Sequence, residues 1–169
     1  KYDELKEFLD NLSTKYPGLA SVHSVGQSVE KRELYVLRIH SNPTRPVGVP
    51  MFKWVANMHG NEAVGRALVN FMSEYLLENY GKNDRITKLV NTTELWMMPS
   101  MNPDGFERAQ EGHCYNVPGG GRGRANAHNT DLNRNFPDQF HDGSDRKSLL
   151  KGREPETLAI MNWIVTNPF

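Results

Sequence analysis

Leu5, Phe8, Leu9 and Leu12 recur at helical spacing between Lys1 and Tyr16, and the triplet YPG stops the pattern. The chain therefore opens on an amphipathic helix. The segments ASVHSVGQSV and ELYVLRIH then alternate apolar and polar residues around the charged turn EKR, which predicts a hairpin of two strands. After the loop NPTRPVGVP, the run MFKWVAN is more continuously apolar, as a central strand buried on both faces should be. A long helix is expected after Glu62, with Ala67, Leu68, Phe71, Tyr75 and Leu76 on one face and NYGKND closing it. A short helical piece at ITKLV leads to a strand at ELWMMPS. At the end, EPETLAIMNWIV has helical spacing through Leu158, Met161, Trp163 and Ile164, with Glu154 beside Pro155 as the helix start. The order of helix, hairpin, strand, helix, strand, helix gives the class α/β with a mixed β-sheet.

A chain of 169 residues suffices for one compact domain with a sizeable core, and neither a repeat nor a linker divides it. Lys plus Arg equals Asp plus Glu at 20 each, so no overall field argues for nucleic acid or an anionic membrane. No apolar run approaches the ~18 residues needed to cross a bilayer, and KYDELKEFL is charged where a signal peptide would be apolar. The chain reads as soluble, with any export signal removed or absent. A single cysteine, Cys114, cannot form an internal disulfide; it is either an inert thiol or a bond to something outside the chain. The triplets NLS at Asn11 and NTT at Asn91 are N-glycosylation patterns and lean towards secretion.

From Met101 to about Lys151 the chain becomes rich in Gly, Asn, Asp and Arg, and so long a loop in a compact domain is usually functional or disordered. In open α/β sheets, ligands bind beyond the carboxyl ends of the strands. Three polar clusters lie there or in the long loop. His59 and Glu62 follow FKWVANM, and zinc accepts both a His nitrogen and a Glu oxygen. The same pair also fits a hydrogen-bonded His at a strand end with a Glu favoured by a helix dipole. SMNPDGFERA follows ELWMMP, and its Asn-Pro-Asp-Gly is strong turn chemistry in its own right. GGGRGRANAHNTDLNRNFPDQF carries Arg122, Arg124, Asn133 and Arg134. It reads either as a solvated basic loop or as a set of forked donors suited to a carboxylate or a developing oxyanion.

Taken in order, HGNE, NPDGFE, GR and DLNRNFPDQF closely resemble the zinc metallocarboxypeptidases, in particular their N/E, or regulatory, subfamily, over essentially the whole chain. The resemblance implies a carboxypeptidase-like mixed sheet with helices on both faces. It also implies a zinc-dependent exopeptidase that removes C-terminal residues, with Lys or Arg the expected preference, from peptides and proteins. Position by position, His59 and Glu62 match the first two zinc ligands. Arg124 matches the arginine that polarises the scissile carbonyl and stabilises the oxyanion. Asn133 and Arg134 match the pair that grips the terminal carboxylate of the substrate. One Zn2+ per complete domain, peptide or protein C-termini as partners, no nucleic acid and no membrane contact from this segment are further implications, with a membrane anchor in the parent left open. So are sister domains in the parent protein and a place in the secretory pathway or outside the cell.

Family members also need a third zinc ligand, a His shortly after the segment matching MNWIVTNPF, together with a glutamate general base and a tyrosine near the substrate. None of these is matched within residues 1–169, so the chain resembles the N-terminal portion, the first half to three-fifths, of a single catalytic domain, with strands missing beside an exposed sheet edge. His113, His128 and His141 are expected to be solvated loop residues, and His23 and His40 to belong to the hairpin. Two alternatives stay open: an inactive carboxypeptidase-like binding module, and a fragment without function of its own.

Overall fold

The computed structural model describes residues 1–44, 47–112, 121–138, 140, 142, 145–167 and 169. Helix α1, Tyr2–Lys15, buries Leu5, Leu9 and Leu12, and it carries Asp3 and Glu4 in its first turn and Lys15 in its last, where the helix dipole favours each sign. Strands β1 (Ala20–Gln27) and β2 (Glu33–Ile39) form the expected antiparallel hairpin, with Ala20 opposite Ile39. Strand β3 (Met51–Val55) leads through α2 (Ala63–Asn79) and α3 (Asp84–Thr92) to β4 (Glu94–Met98). β3 and β4 are parallel, β2 and β4 antiparallel, and the strand order is β1-β2-β4-β3. The sheet is therefore mixed, as the pattern of elements predicts.

Alternation along the strands sends side chains to two separate cores. Leu37 and Ile39 of β2 and Leu95 and Met97 of β4 pack with Leu9, Val69, Leu77 and Val90 under α1, α2 and α3. On the opposite face, Leu34 and Val36 of β2 and Met98 of β4 pack with Leu132, Ile160 and Trp163. That second layer belongs to α6 (Pro155–Thr166), so helices cover both faces. At Gly26 a Cβ would lie 2.6 Å from the Cβ of Ala159, so glycine is what lets α6 approach the hairpin this closely.

One expectation needs correction, and the packed faces of two helices can now be assigned. MFKWVAN is not central among the described strands: β3 is an edge strand, with Phe52 52% and Trp54 48% exposed. Its second flank has no neighbouring strand among the described residues to cover those rings. The face of α2 that packs on the sheet carries Val69, Ser73, Leu76 and Leu77, whereas Ala67, Leu68, Phe71 and Tyr75 are exposed. α2 is apolar on two sides, and helical spacing cannot tell which of them meets the sheet. Its other side, with Trp54 and Met97, lines an apolar groove of about 410 Å³. In α6 the buried residues are Glu156, Thr157, Ala159, Ile160 and Trp163, and Ile164 is exposed. Within the long loop the structure adds α4 (Pro103–Arg108) and α5 (Arg146–Leu150). No helix among the described residues is long and apolar enough to cross a membrane.

Candidate metal centre and active site

The site begins where β3 ends. Past Val55 the backbone keeps pairing with the segment after β4: Ala56 donates to Met98 O at 3.0 Å, Met101 to Ala56 O at 2.9 Å and Asn102 to Asn57 O at 3.1 Å. Asn57 then turns the chain with φ 56°, in the left-handed region that Asn tolerates. Its buried amide fills the turn from inside, donating to the carbonyls of His59 (2.9 Å), Gly60 (3.0 Å) and Glu62 (3.1 Å). Its oxygen accepts from Ser100 Oγ at 2.8 Å. The turn that presents His59 and Glu62 is thus hydrogen-bonded from within, which satisfies backbone groups that burial would otherwise leave unpaired.

The three polar motifs interlock. Asn102 caps α4 by accepting from Gly105 N at 2.9 Å, and its amide donates to Met58 O and Arg124 O, each at 3.1 Å. Gly60 N also donates to Arg124 O at 3.2 Å. At Gly60 a Cβ would overlap the backbone of Gly105 and Phe106, and at Gly105 it would lie 2.6 Å from Gly123 O. Asn-Pro-Asp-Gly is therefore a turn, as its chemistry predicts, and also the floor on which HGNE and GRGR rest.

On that floor four side chains meet. Buried His59 has Nδ1 3.1 Å from Glu62 Oε1 and Nε2 2.9 Å from Asp131 Oδ1. Arg124 donates to Glu62 Oε1 from Nη1 at 3.1 Å, and to Asp131 Oδ2 from Nε at 3.2 Å and Nη2 at 3.0 Å. Burial pushes the Asp131 carboxyl up, but hydrogen bonds from His59, the Asn133 N–H and Arg124 outweigh it and hold the group below its ordinary value. Asp131 thus stays a carboxylate, and its bond to Nε2 fixes the ring so that Nδ1 turns its lone pair towards Glu62, the arrangement that metal-binding histidines commonly show. Glu62, 63% exposed, leaves the other side of that gap open.

Of the residues singled out in the sequence, the structure brings together His59, Glu62 and Arg124. Asn133 and Arg134 lie in the 3-10 turn Leu132–Arg134 and are exposed. The Asn133 N–H donates to Asp131 Oδ1 at 2.9 Å, and the Arg134 guanidinium folds back onto Asn133 O at 3.1 Å. Arg122 lines an open cleft of about 990 Å³ that starts at Gly60 and Asn61. In its wall Arg66 is buried 3.9 Å above the Phe106 ring, and desolvation pushes its guanidinium down to about 10. His128 is exposed and pairs with Glu154 at 2.7 Å, while His113, His141 and Cys114 lie outside the described residues. His23 and His40 follow their expectation: His23 accepts or donates at Ser21 Oγ at 2.8 Å, and His40 is buried at the end of β2. Among the described residues no group of three or more His, Cys, Asp or Glu side chains is placed to hold a metal ion.

Asp131 is the charged residue of the site that the sequence does not single out. Its signal was there, an Asp before a short turn within DLNRNF, but such an Asp reads as a cap, and it does cap this turn. Only the fold brings it 72 positions back to His59.

Several known proteins resemble this chain in sequence and in fold. A model of the zinc carboxypeptidase family matches residues 5–169. The chain is 50% identical over 169 residues to carboxypeptidase D of Drosophila melanogaster, covering 99% of this chain and 12% of that protein. Carboxypeptidase D of Homo sapiens is 45% identical with the same coverage, and carboxypeptidase M of Mus musculus is 45% identical over 98% of this chain and 35% of that protein. The chain thus spans about an eighth of the carboxypeptidase D relatives. In fold it matches the crystal structure of thrombin activatable fibrinolysis inhibitor, with a TM-score of 0.74 and 22% identity over 99% of this chain and 44% of the other. It likewise matches carboxypeptidase A from Helicoverpa armigera, with a TM-score of 0.72 and 23% identity over 98% and 42%.

Proposed function

The chain belongs to the zinc carboxypeptidase family, and from that premise we propose that it is part of a zinc-dependent exopeptidase that removes C-terminal residues, Lys or Arg by preference, from peptides and proteins. The observation that carries this reading is the cluster of His59, Glu62, Arg124 and Asp131. His59 Nδ1 and Glu62 Oε1 are 3.1 Å apart, close enough for one ion to bond each at about 2.0–2.2 Å, and Asp131 holds the ring by its other nitrogen. The donor set fits zinc, with His59 and Glu62 as two of its protein ligands. Zinc bound there would supply a Lewis acid and a water of lowered pKa.

The remaining work falls to this chain's own side chains. Arg124, held by Asp131 and Glu62, faces the same gap with a fixed positive charge, suited to negative charge that develops on a carbonyl oxygen. Asn133 and Arg134, exposed on the next turn, are the amide and guanidinium that would bind the free carboxylate of a peptide terminus. A site that must hold that carboxylate cuts only at chain ends.

The chain is read as the N-terminal portion of a single catalytic domain, with sister domains in the parent. The edge position of β3 and the exposed apolar side of α2 support it, since both are surfaces that further strand and helix would cover. The exposed Asn11 and Asn91 support a secreted or membrane-associated setting, with both as glycosylation sites. The test is release of single amino acids by the intact protein from peptides that differ only at the last residue. Zinc-dependent release of Arg or Lys ahead of Phe or Leu is expected. Faster release of Phe would sink the preference, and binding without release would favour a carboxypeptidase-like binding module.

A further inference from the structure

Between Arg124 and Asp131 the chain closes on itself around Asn126. Asn126 N donates to Thr130 O at 3.0 Å and Asn126 O accepts from Asn129 N at 3.0 Å, with Asn129 at φ 61°. The side chain, 2% exposed, uses every hydrogen-bonding position it has. Its oxygen accepts from His128 N at 3.1 Å and Thr130 N at 3.0 Å. Its two amide protons go to two carboxylates at the start of α6, Glu154 Oε2 at 2.9 Å and Glu156 Oε2 at 3.1 Å. Glu156, fully buried, accepts from Val29 N in the β1–β2 turn at 3.1 Å, and Glu154 accepts from Thr130 Oγ1 at 3.2 Å and from His128. One amide thus ties the loop to α6 and to the hairpin.

The consequence reaches the site. Folding 126–130 into a closed turn returns Asp131 beside Arg124, so that the guanidinium meets Asp131 Oδ2 with two nitrogens while Asp131 Oδ1 holds His59. Resting on the carboxypeptidase reading, we propose that Asn126 is a positioning residue for the reaction. Through its clamp on Glu154 and Glu156 it sets the orientation of Arg124 and, through Asp131, that of His59. A purely structural asparagine would lower stability and leave a surviving folded molecule fully active. A positioning one changes turnover in the folded molecule.

The experiment is a double-mutant cycle in the intact zinc-loaded protein. Asn126→Asp keeps the acceptor for the turn and removes both donors to the glutamates. It is expected to lower kcat by about 10–100-fold with KM within about threefold. In an Arg124→Ala background the same change is expected to cost clearly less than in wild type, because the share of its effect that runs through Arg124 is gone and only the share through Asp131 and His59 remains. Wild-type kcat in Asn126→Asp, or an equal loss in both backgrounds, would overturn the proposal. If Asn126→Asp does not fold, Glu154→Gln takes its place, with a loss of about 3–10-fold and the same non-additivity expected. Zinc retained after dialysis separates this proposal from the reading beneath it. A wild type that releases no C-terminal residue sinks the carboxypeptidase reading. Even then, loss of zinc from Asn126→Asp under dialysis that the wild type survives upholds the clamp, and equal retention overturns it.

Discussion

Between β2 and β4, Leu37, Ile39, Leu95 and Met97 meet Leu9, Leu77 and Val90 almost wholly out of water, whereas between His59 and Asp131 few apolar groups take part and three asparagines hold the backbone. Asn57 fills one turn, Asn102 bridges two loops and Asn126 closes a third. Apolar burial is non-directional and scales with area, so the frame depends on volume and pattern. Hydrogen bonds in a dry loop depend on particular atoms at particular distances, and losing one partner leaves the other unsatisfied. The two regions should therefore respond in opposite ways to the same kind of substitution.

The largest effect is expected in the frame. Leu37→Ala should cost about 2–5 kcal/mol in denaturant unfolding, and Leu37→Met less than about 1.5 kcal/mol, since the core reads volume. A Met variant as unstable as the Ala variant would break the comparison. Arg124→Ala should do the reverse, moving the unfolding midpoint little because its partners Glu62 and Asp131 keep access to water, while kcat falls about 10²–10³-fold. If KM rose instead with kcat intact, Arg124 would be a binding residue. Gly60→Ala sits between the regions, because its Cβ would strike the Gly105–Phe106 backbone. About 1–3 kcal/mol of stability and a larger share of activity should be lost together, and full activity would mean that the loops can part without harm.

The smallest effect is a pH dependence at the start of α6, where two glutamates are shifted from their ordinary value in opposite directions. Burial pushes Glu156 up, while at Glu154 burial is outweighed by hydrogen bonds from Asn126, His128 and Thr130, which hold it down. With its folded value raised, Glu156 contributes stability that is fully present below its ordinary value of 4.5 and is lost as pH rises through the folded value. The thermal midpoint of wild type relative to Glu156→Gln should fall as pH rises from about 4.5. Parallel curves would show that Glu156 is not shifted.

The same contrast governs what could be read before the fold was known. α1 and the hairpin follow from spacing because burial writes itself into the sequence as a period, whereas β4, buried on both faces, shows only as an apolar run. Spacing decides least where a segment is apolar on more than one side: in α2 it groups Leu68, Phe71 and Tyr75 on one face without saying which side packs, and the continuous apolar run of β3 reads as a central strand although β3 lies at the edge of the described sheet. In the site, His59 and Glu62 were legible by residue type and closeness. Asp131, Asn102 and Asn126 were not, because each looks locally like turn chemistry and its second partner lies 22 to 72 residues away.

The most direct test of the zinc site is the metal content of the intact protein after exhaustive dialysis, for wild type and His59→Ala. Loss of one equivalent of zinc in the variant, with folding retained, is the expected result. Equal zinc in both would contradict it, leaving His59 a hydrogen-bonded partner of Glu62 and Asp131 and nothing more.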